Sequence, residues 1–368
     1  MAGPEELLPG FREYLVGRFG PPAHSARFTP LRRAGESVKE WGYGVPYLVD
    51  WETPGGVRRL VLETVRPGGF GHEDRADRAR LILRAGDDFP RLSRHVAVID
   101  VGAFRSGGPA VSLSGTGEFF LLTDFCEGEP YAFDLARLAD RNRLEERDRS
   151  RTRALVDYLA AIHREPVAHP TFYRRRLRDL AGAGECLAGI ADSYPTPSGF
   201  VTADLLFRIE ELSLRWRYRL RDRSDRLRTI HGDFHPWNVL FTGDSEFHVL
   251  DRSRGAYGDP ADDVAAMAIN YLFFALRKDG SVSGPFVELL SLFWDCYREA
   301  SGDAELAEVI APHFAFRALV LANPLWYPRE SDATRRALFR FIFAVLEADR
   351  FEIGRLPSWL AWDGVSAP

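Results

Sequence analysis

Apolar positions along the first third of the chain change period several times, and each change predicts an element. Leu7, Leu8, Phe11, Tyr14, Leu15 and Phe19 recur at helical spacing and predict an amphipathic helix over residues 5–19. Pro9-Gly10 interrupts that stripe, which leaves open a start only after it. Three β-rich runs follow at 28–33, 38–51 and 57–65, separated by the turns Ala34-Gly35-Glu36-Ser37 and Glu52-Thr53-Pro54-Gly55-Gly56. After the link Pro67-Gly68-Gly69-Phe70-Gly71, residues 73–84 read as a helix, and 96–104 and 118–123 as two further strands.

Beyond about residue 126 the pattern is helical. Ala154, Leu155, Tyr158, Leu159 and Ile162 form a stripe over 150–163, ending on His163 as a packing or capping residue. Residues 205–222 predict an arginine-rich amphipathic helix with Asp204 as its N-cap, and the arginines from 215 to 228 read as a solvated face with internal ion pairs. Asp259-Pro260 starts a helix by its own chemistry, with a capping acid, a proline at the first helical position and Asp262 near the positive end. That helix runs on through Val264, Met267, Ala268, Tyr271 and Ala275, and 284–299, 305–322 and 333–348 predict three more. The fold class is therefore α+β, with a small β-rich part at 1–125 and a larger, mainly helical part at 126–368.

Composition changes this picture little. A chain of 368 residues with 45% hydrophobic and 27% charged residues is an ordinary globular protein long enough for two lobes. A net charge of −5 offers no general attraction to nucleic acid. Cys126, Cys186 and Cys296 lack ligand or disulfide spacing and read as reduced thiols of a cytoplasmic protein. The first residues lack a signal-sequence pattern, and the longest apolar run, around 265–276, contains Asn270 and is too short to span a bilayer, so no membrane partner is expected. Lys39 and Lys278 are the only lysines, which singles out each as a candidate for phosphate binding.

The densest chemistry lies in Ile230-His231-Gly232-Asp233-Phe234-His235-Pro236-Trp237-Asn238-Val239-Leu240-Phe241 and the following Val249-Leu250-Asp251. Asn238 lies five positions after Asp233, and Asp251 thirteen after Asn238. This set suits a base for a hydroxyl and two oxygen ligands for magnesium beside a nucleoside triphosphate. A rival reading makes His231, Asp233 and His235 a metal-hydrolase cluster, but it leaves Asn238 and Asp251 without a role. A structural reading has Asp233 capping a turn and His231 buried. The small-residue turn at Gly35 is either a plain hairpin turn or one whose N–H groups approach phosphates. Trp294, Trp326, Tyr327, Trp359 and Trp362, with Asp295, Glu299 and Glu347, either pack and solvate helices or line a cleft for an acceptor.

His231-Gly232-Asp233-Phe234-His235-Pro236-Trp237-Asn238, Asp251 and Gly258-Asp259-Pro260-Ala261-Asp262-Asp263 closely resemble the aminoglycoside phosphotransferase/choline kinase family across about 230–265. The helix ending Ala160-Ala161-Ile162-His163 and the hinge-like stretch 121–130 are similar to that family too, and the N-terminal part resembles it in element order. The resemblance implies a protein-kinase-like bilobal fold, with a nucleotide-binding lobe at 1–125 and a helical lobe at 126–368 that holds the catalytic loop and the acceptor site. It implies a kinase that moves the γ-phosphate of ATP or GTP, with Mg2+, to a hydroxyl of a small-molecule acceptor. Asp233 would be the catalytic base, with His231 supporting its loop; Asn238 and Asp251 would hold the metal. Gly35, Ser37, Lys39, Arg66, Asp124 and Cys126 would meet the nucleotide, and Asp259 and Asp263 would support the structure.

Two departures stand out. Glu63 occupies the third-strand place where the family carries a lysine or arginine for the α- and β-phosphates, so either another cation, Lys39 or Arg66, acts there or nucleotide binding is weak. Arg252-Ser253-Arg254 follows Asp251 where the family commonly has an aromatic and then an acid. Glu63 also motivates a second reading, a degenerate kinase fold that binds or senses nucleotide without transfer. A third is nucleotidyl transfer or phosphate hydrolysis on the same fold. The motifs do not distinguish ATP from GTP, name the acceptor or set the oligomeric state.

Overall fold

The computed structural model describes residues 4–20, 26–31, 43–44, 46–53, 56–105, 108–195, 199–252, 254–279 and 281–361. The chain divides into two compact units, Met1–Thr123 and Asp124–Pro368.

The first unit contains α1 (Pro4–Phe19), β1 (Arg27–Pro30), β2 (Tyr47–Thr53), β3 (Gly56–Leu62), α2 (Arg75–Asp88), β4 (Gly102–Ala103) and β5 (Val111–Ser112). β1, β2 and β3 form an antiparallel sheet in that order, with Phe28 opposite Val49 and Leu48 opposite Val61. Strand alternation sends Tyr47, Val49 and Trp51 to one face, where Val49 and Trp51 form a small core with Leu15 of α1 and Ala26. Helix α1 continues through Pro9. At Gly10 any side chain would clash with the Gly108 carbonyl, so the glycine admits the close approach in which Ala110 N–H bonds Gly10 O at 3.1 Å. Asp100 then ties α1 down by accepting from Tyr14 and from Arg18, the latter at 3.0 Å.

Several expected strands are shorter or absent. β3 ends at Leu62, so Glu63 lies beyond the sheet and is exposed. Only Gly102–Ala103 of the 96–104 run is a strand, and its partner is the unanticipated β5. Residues 118–123 form no strand; Phe119, Phe120, Leu121 and Leu122 are exposed there. Apolar β-formers make a strand only where a neighbour takes up their backbone groups, and none among the described residues pairs with this run.

In the second unit the elements are β6 (Glu129–Pro130), α3 (Tyr131–Arg141), α4 (Glu146–Ile162), α5 (Pro170–Gly182), α6 (Leu187–Asp192), α7 (Ala203–Leu220), β7 (Arg228–Thr229), β8 (Val239–Phe241), β9 (Phe247–Val249), β10 (Tyr257–Gly258), α8 (Ala261–Asp279), α9 (Pro285–Ser301), α10 (Leu306–Val309), α11 (Ala311–Ala322), α12 (Asp332–Glu347) and α13 (Leu356–Leu360). Every side chain of α8 from residue 261 to 276 is buried, as befits a helix that, after Asp262 and Asp263 in its first turn, is apolar on all sides but for Asn270. It is the central rod, packed by α9, α11, α12 and α3. The 305–322 pattern breaks into α10 and α11 because Pro312 cannot supply the N–H that a continuous helix would need there. The N-cap of α7 is Thr202, whose hydroxyl accepts from Leu205 N at 3.3 Å, and not Asp204, which lies in the first turn. Among the described residues, no helix is long and apolar enough to cross a membrane.

One arginine of the run 215–228 is not on a solvated face. Arg226 is buried and donates to Asp259 through Nε and Nη2, each at 2.9 Å, and to Asp303 at 2.8 and 2.7 Å. Asp259 also accepts from Tyr173 OH and from Ala261 N, each at 3.0 Å, so its capping of α8 is locked to α5 and to the turn before β7. Removing Arg226 would leave two carboxylates without their counter-charge. Arg226→Ala should cost roughly 3–5 kcal/mol in urea unfolding. Arg223→Ala, which breaks an exposed pair with Glu305, should cost under about 1 kcal/mol. Equal losses at the two positions would refute this assignment.

Candidate active site

The loop carrying the candidate base runs from β7, which pairs with β10, to β8, which pairs with β9. Its course is set by Asp263 in the first turn of α8. The two oxygens of that fully buried carboxylate accept from consecutive backbone groups, His231 N and Gly232 N, each at 2.7 Å. Presenting two successive N–H groups to one carboxylate needs a turn, and Gly232 supplies it with φ +86°. His163 Nε2 lies 3.1 Å from Asp263 while its Nδ1 meets Tyr297 OH at 2.8 Å, so α4 and α9 brace the same acid.

The two loop histidines are fixed by backbone N–H groups. Asp233 N donates to His231 Nδ1 and Trp237 N to His235 Nδ1, both at 3.2 Å. A nitrogen that accepts carries no proton, so each neutral ring holds its hydrogen on Nε2. For His231 that group is buried beneath the loop; for His235 it points to Asp233 Oδ2 at 3.7 Å. With each Nδ1 engaged by backbone, a shared metal on His231, Asp233 and His235 has little support. Among the described residues no group of three His, Cys, Asp or Glu side chains is placed to hold a metal.

Asp233 sits between cations. Arg317 of α11 donates to its Oδ1 through Nη1, while Nη2 donates to Gly232 O at 2.9 Å and Asp262 Oδ1 at 2.8 Å. Arg254 Nε lies 3.8 Å from the same Oδ1. Both guanidiniums stack on the buried ring of Phe316, at 5.0 and 4.9 Å, which lets two cations flank one acid. Burial works to raise the Asp233 pKa, but Arg317 and Arg254 outweigh it and hold the carboxyl below its ordinary value. Burial pushes the His235 imidazole down to about 4 against the opposing pull of Asp233.

Asn238 and Asp251 meet at the open end of the hairpin. Leu250 N bonds Asn238 O at 2.9 Å, one step beyond the Val239–Val249 pair, and Asp251 is the next residue. Asn238 Nδ2 donates to Asp233 O at 3.1 Å, which leaves its Oδ1 as an oxygen donor. Asp251 is exposed and has φ +54°, a strained conformation for a side-chain-bearing residue. An amide oxygen and a carboxylate are hard donors that match magnesium, which takes most of its remaining ligands from phosphates and water. The two arginines after Asp251 divide their work: Arg252 holds Ile230 O at 2.9 and 2.7 Å and Ala256 O at 2.9 Å, while Arg254 faces the base.

Gly35, Ser37 and Lys39, expected at the nucleotide, lie outside the described residues, as does Trp362. Arg66 is exposed in the first unit, where its N–H bonds Tyr43 O at 2.7 Å. Asp124 and Cys126 lie in a segment without regular secondary structure at the start of the second unit. Trp294 and Trp359 are core residues, whereas Trp326 is exposed. Sequence reasoning missed Arg317 and Asp262 as partners of the loop. The signal for Arg317 was a lone charge within the apolar run Phe314-Ala315-Phe316-Arg317-Ala318-Leu319.

The folded-state pKa of His235 lies below the ordinary histidine value of about 6.5. The unfolded chain therefore takes up this proton first, and the stability tied to neutral His235 is lost as pH falls from about 6.5 toward about 4. Nitrogen-15 NMR should find His235 neutral with its proton on Nε2 at pH 7. A titration midpoint above about 6 would contradict the burial argument.

Comparison with known proteins bears on this geometry. The profile of the phosphotransferase enzyme family matches residues 48–300, more than half of the chain and all of the loop and hairpin just described. No curated protein matches the chain. Among solved structures, an amicoumacin kinase in complex with AMP-PNP, Ca2+ and Ami is 14% identical, covering 96% of this chain and 100% of its own, with a TM-score of 0.40. An ethanolamine kinase of Plasmodium vivax is 10% identical over 97% of this chain and 87% of its own, with a TM-score of 0.36. A macrolide 2'-phosphotransferase type I is 16% identical over 95% and 99%, with a TM-score of 0.32. The chain belongs to the phosphotransferase enzyme family, whose members transfer phosphate to alcohol groups of small molecules.

Proposed function

We propose that this protein is a small-molecule kinase that transfers the γ-phosphate of ATP or GTP to a hydroxyl of its acceptor, using Asp233 as base. The observation that carries the proposal is the gathering of Asp233, Asn238 and Asp251 on one loop and hairpin, with Asn238 bonded to the backbone of Asp233. Arg317 occupies Asp233 Oδ1, so Oδ2 is the oxygen turned to an incoming hydroxyl. In the proposed step the acceptor oxygen attacks the γ-phosphorus as Oδ2 takes its proton. The bond from that phosphorus to the β–γ bridging oxygen breaks, releasing a nucleoside diphosphate. Asn238 Oδ1 and Asp251 would hold magnesium, which when bound offsets the charge on the β- and γ-phosphates.

Neutral His235 adds no charge beside the base and keeps its N–H toward Oδ2. His231, turned inward, positions Asp233 through its backbone rather than meeting substrate. We assign nucleotide binding to the first unit. A cytoplasmic location, where ATP is at hand and thiols such as the free Cys126, Cys186 and Cys296 stay reduced, belongs to the same proposal.

Phosphate transfer from γ-labelled ATP or GTP with magnesium to a panel of hydroxylated small molecules tests the reading. With a productive acceptor, Asp233→Asn should lower kcat by roughly 10²–10⁴-fold while retaining nucleotide binding. Asp251→Asn should raise the magnesium concentration needed for half-maximal rate. Normal turnover by Asp233→Asn would exclude Asp233 as the base. Nucleotide binding by calorimetry without any transfer would favour the sensing alternative.

A further inference from the structure

We infer that Arg317 is a positioning residue for phosphoryl transfer: it clamps one oxygen of Asp233 and leaves the other aimed at the acceptor. The inference rests on the phosphotransfer reading above and adds a residue from outside residues 48–300, the span of the family match. Arg317 is buried, and its guanidinium makes three contacts with two different elements. Nη1 reaches Asp233 Oδ1, and Nη2 reaches both the Gly232 carbonyl and Asp262 Oδ1, at 2.9 and 2.8 Å. Asp262 lies in the first turn of α8, and His313 of α11 sits 3.9 Å from the same carboxylate oxygen. The acid side chain and the preceding carbonyl are thus held by one planar fork whose own orientation is set from α8.

A planar fork restrains rotation of a carboxylate in a way that a point charge does not. The other groups near Asp233 do not replace it. Arg254 stands 3.8 Å from Oδ1, and His235 lies 3.7 Å from Oδ2, on the acceptor side. Without Arg317, rotation about the Asp233 side chain would bring either oxygen toward the acceptor at varying angles. A positional error of about 1 Å at a reacting group costs on the order of 10²-fold in rate.

The test uses the full chain with the acceptor found productive for the wild type. Arg317→Ala should lower kcat by about 10²-fold, with KM for the magnesium nucleotide unchanged. Added guanidinium or ethylguanidinium should restore part of that kcat, and ethylammonium should not. Arg317→Lys, which keeps charge without the fork, should recover only part of the loss. Because Arg317→Ala takes from Asp262 the guanidinium it bonds, the double variant Arg317→Ala/Asp262→Asn removes that buried charge. It should remain folded by circular dichroism and keep the low kcat. Wild-type kcat in the folded double variant or in Arg317→Lys would overturn the inference. So would a kcat loss that merely follows the unfolded fraction, or one that guanidinium does not reverse. Failure of the underlying reading is seen separately, as a wild-type protein that phosphorylates no acceptor.

Discussion

The candidate site depends on one buried carboxylate. Asp263 receives two consecutive backbone N–H groups, each at 2.7 Å, at the positive end of α8, whose side chains from 261 to 276 are all buried. A charged acceptor inside the protein is stable only when its lone pairs are filled, and here backbone groups and His163 fill them. This bond fixes where the chain enters the loop, and the positions of Asp233, His235 and Asn238 follow. Arg226 performs the same service one turn earlier, through Asp259, so the start of α8 is held on both sides of Pro260.

Electrostatics at the loop pull in a consistent direction. Two guanidiniums against one face of Asp233 keep it ionised, and burial keeps His235 neutral. An ionised carboxylate of low pKa is a weak base, but phosphoryl transfer asks mainly for orientation and for charge to be offset at the phosphates. Rigid placement of Asp233 therefore matters more than its proton affinity, which is why a buried fork from α11 belongs beside it.

Local chemistry made part of this structure legible. Asp259-Pro260 marked the start of α8 by capping rules. The family motif pointed to the loop carrying Asp233. Elsewhere local signals misled or fell short. The apolar residues 119–122 are typical of a strand, yet no neighbour among the described residues pairs with them. Helix α5 went unseen because its arginines dilute an apolar stripe limited to Phe172, Tyr173, Leu177 and Leu180. Arg226 looked like one of many solvated arginines until Asp259 and Asp303 closed around it. Arg317 is 84 positions from Asp233, and a contact across that distance is set by helix packing rather than by spacing.

The central claim is that this loop and hairpin serve transfer of a γ-phosphoryl group to a hydroxyl. Phosphorus-31 NMR of the protein with magnesium, ATP or GTP and the acceptor panel tests it most directly. The account predicts growth of a phosphate monoester resonance matched in amount by nucleoside diphosphate. Pyrophosphate with a nucleotidyl adduct, or inorganic phosphate as the only new product with every acceptor, would contradict it.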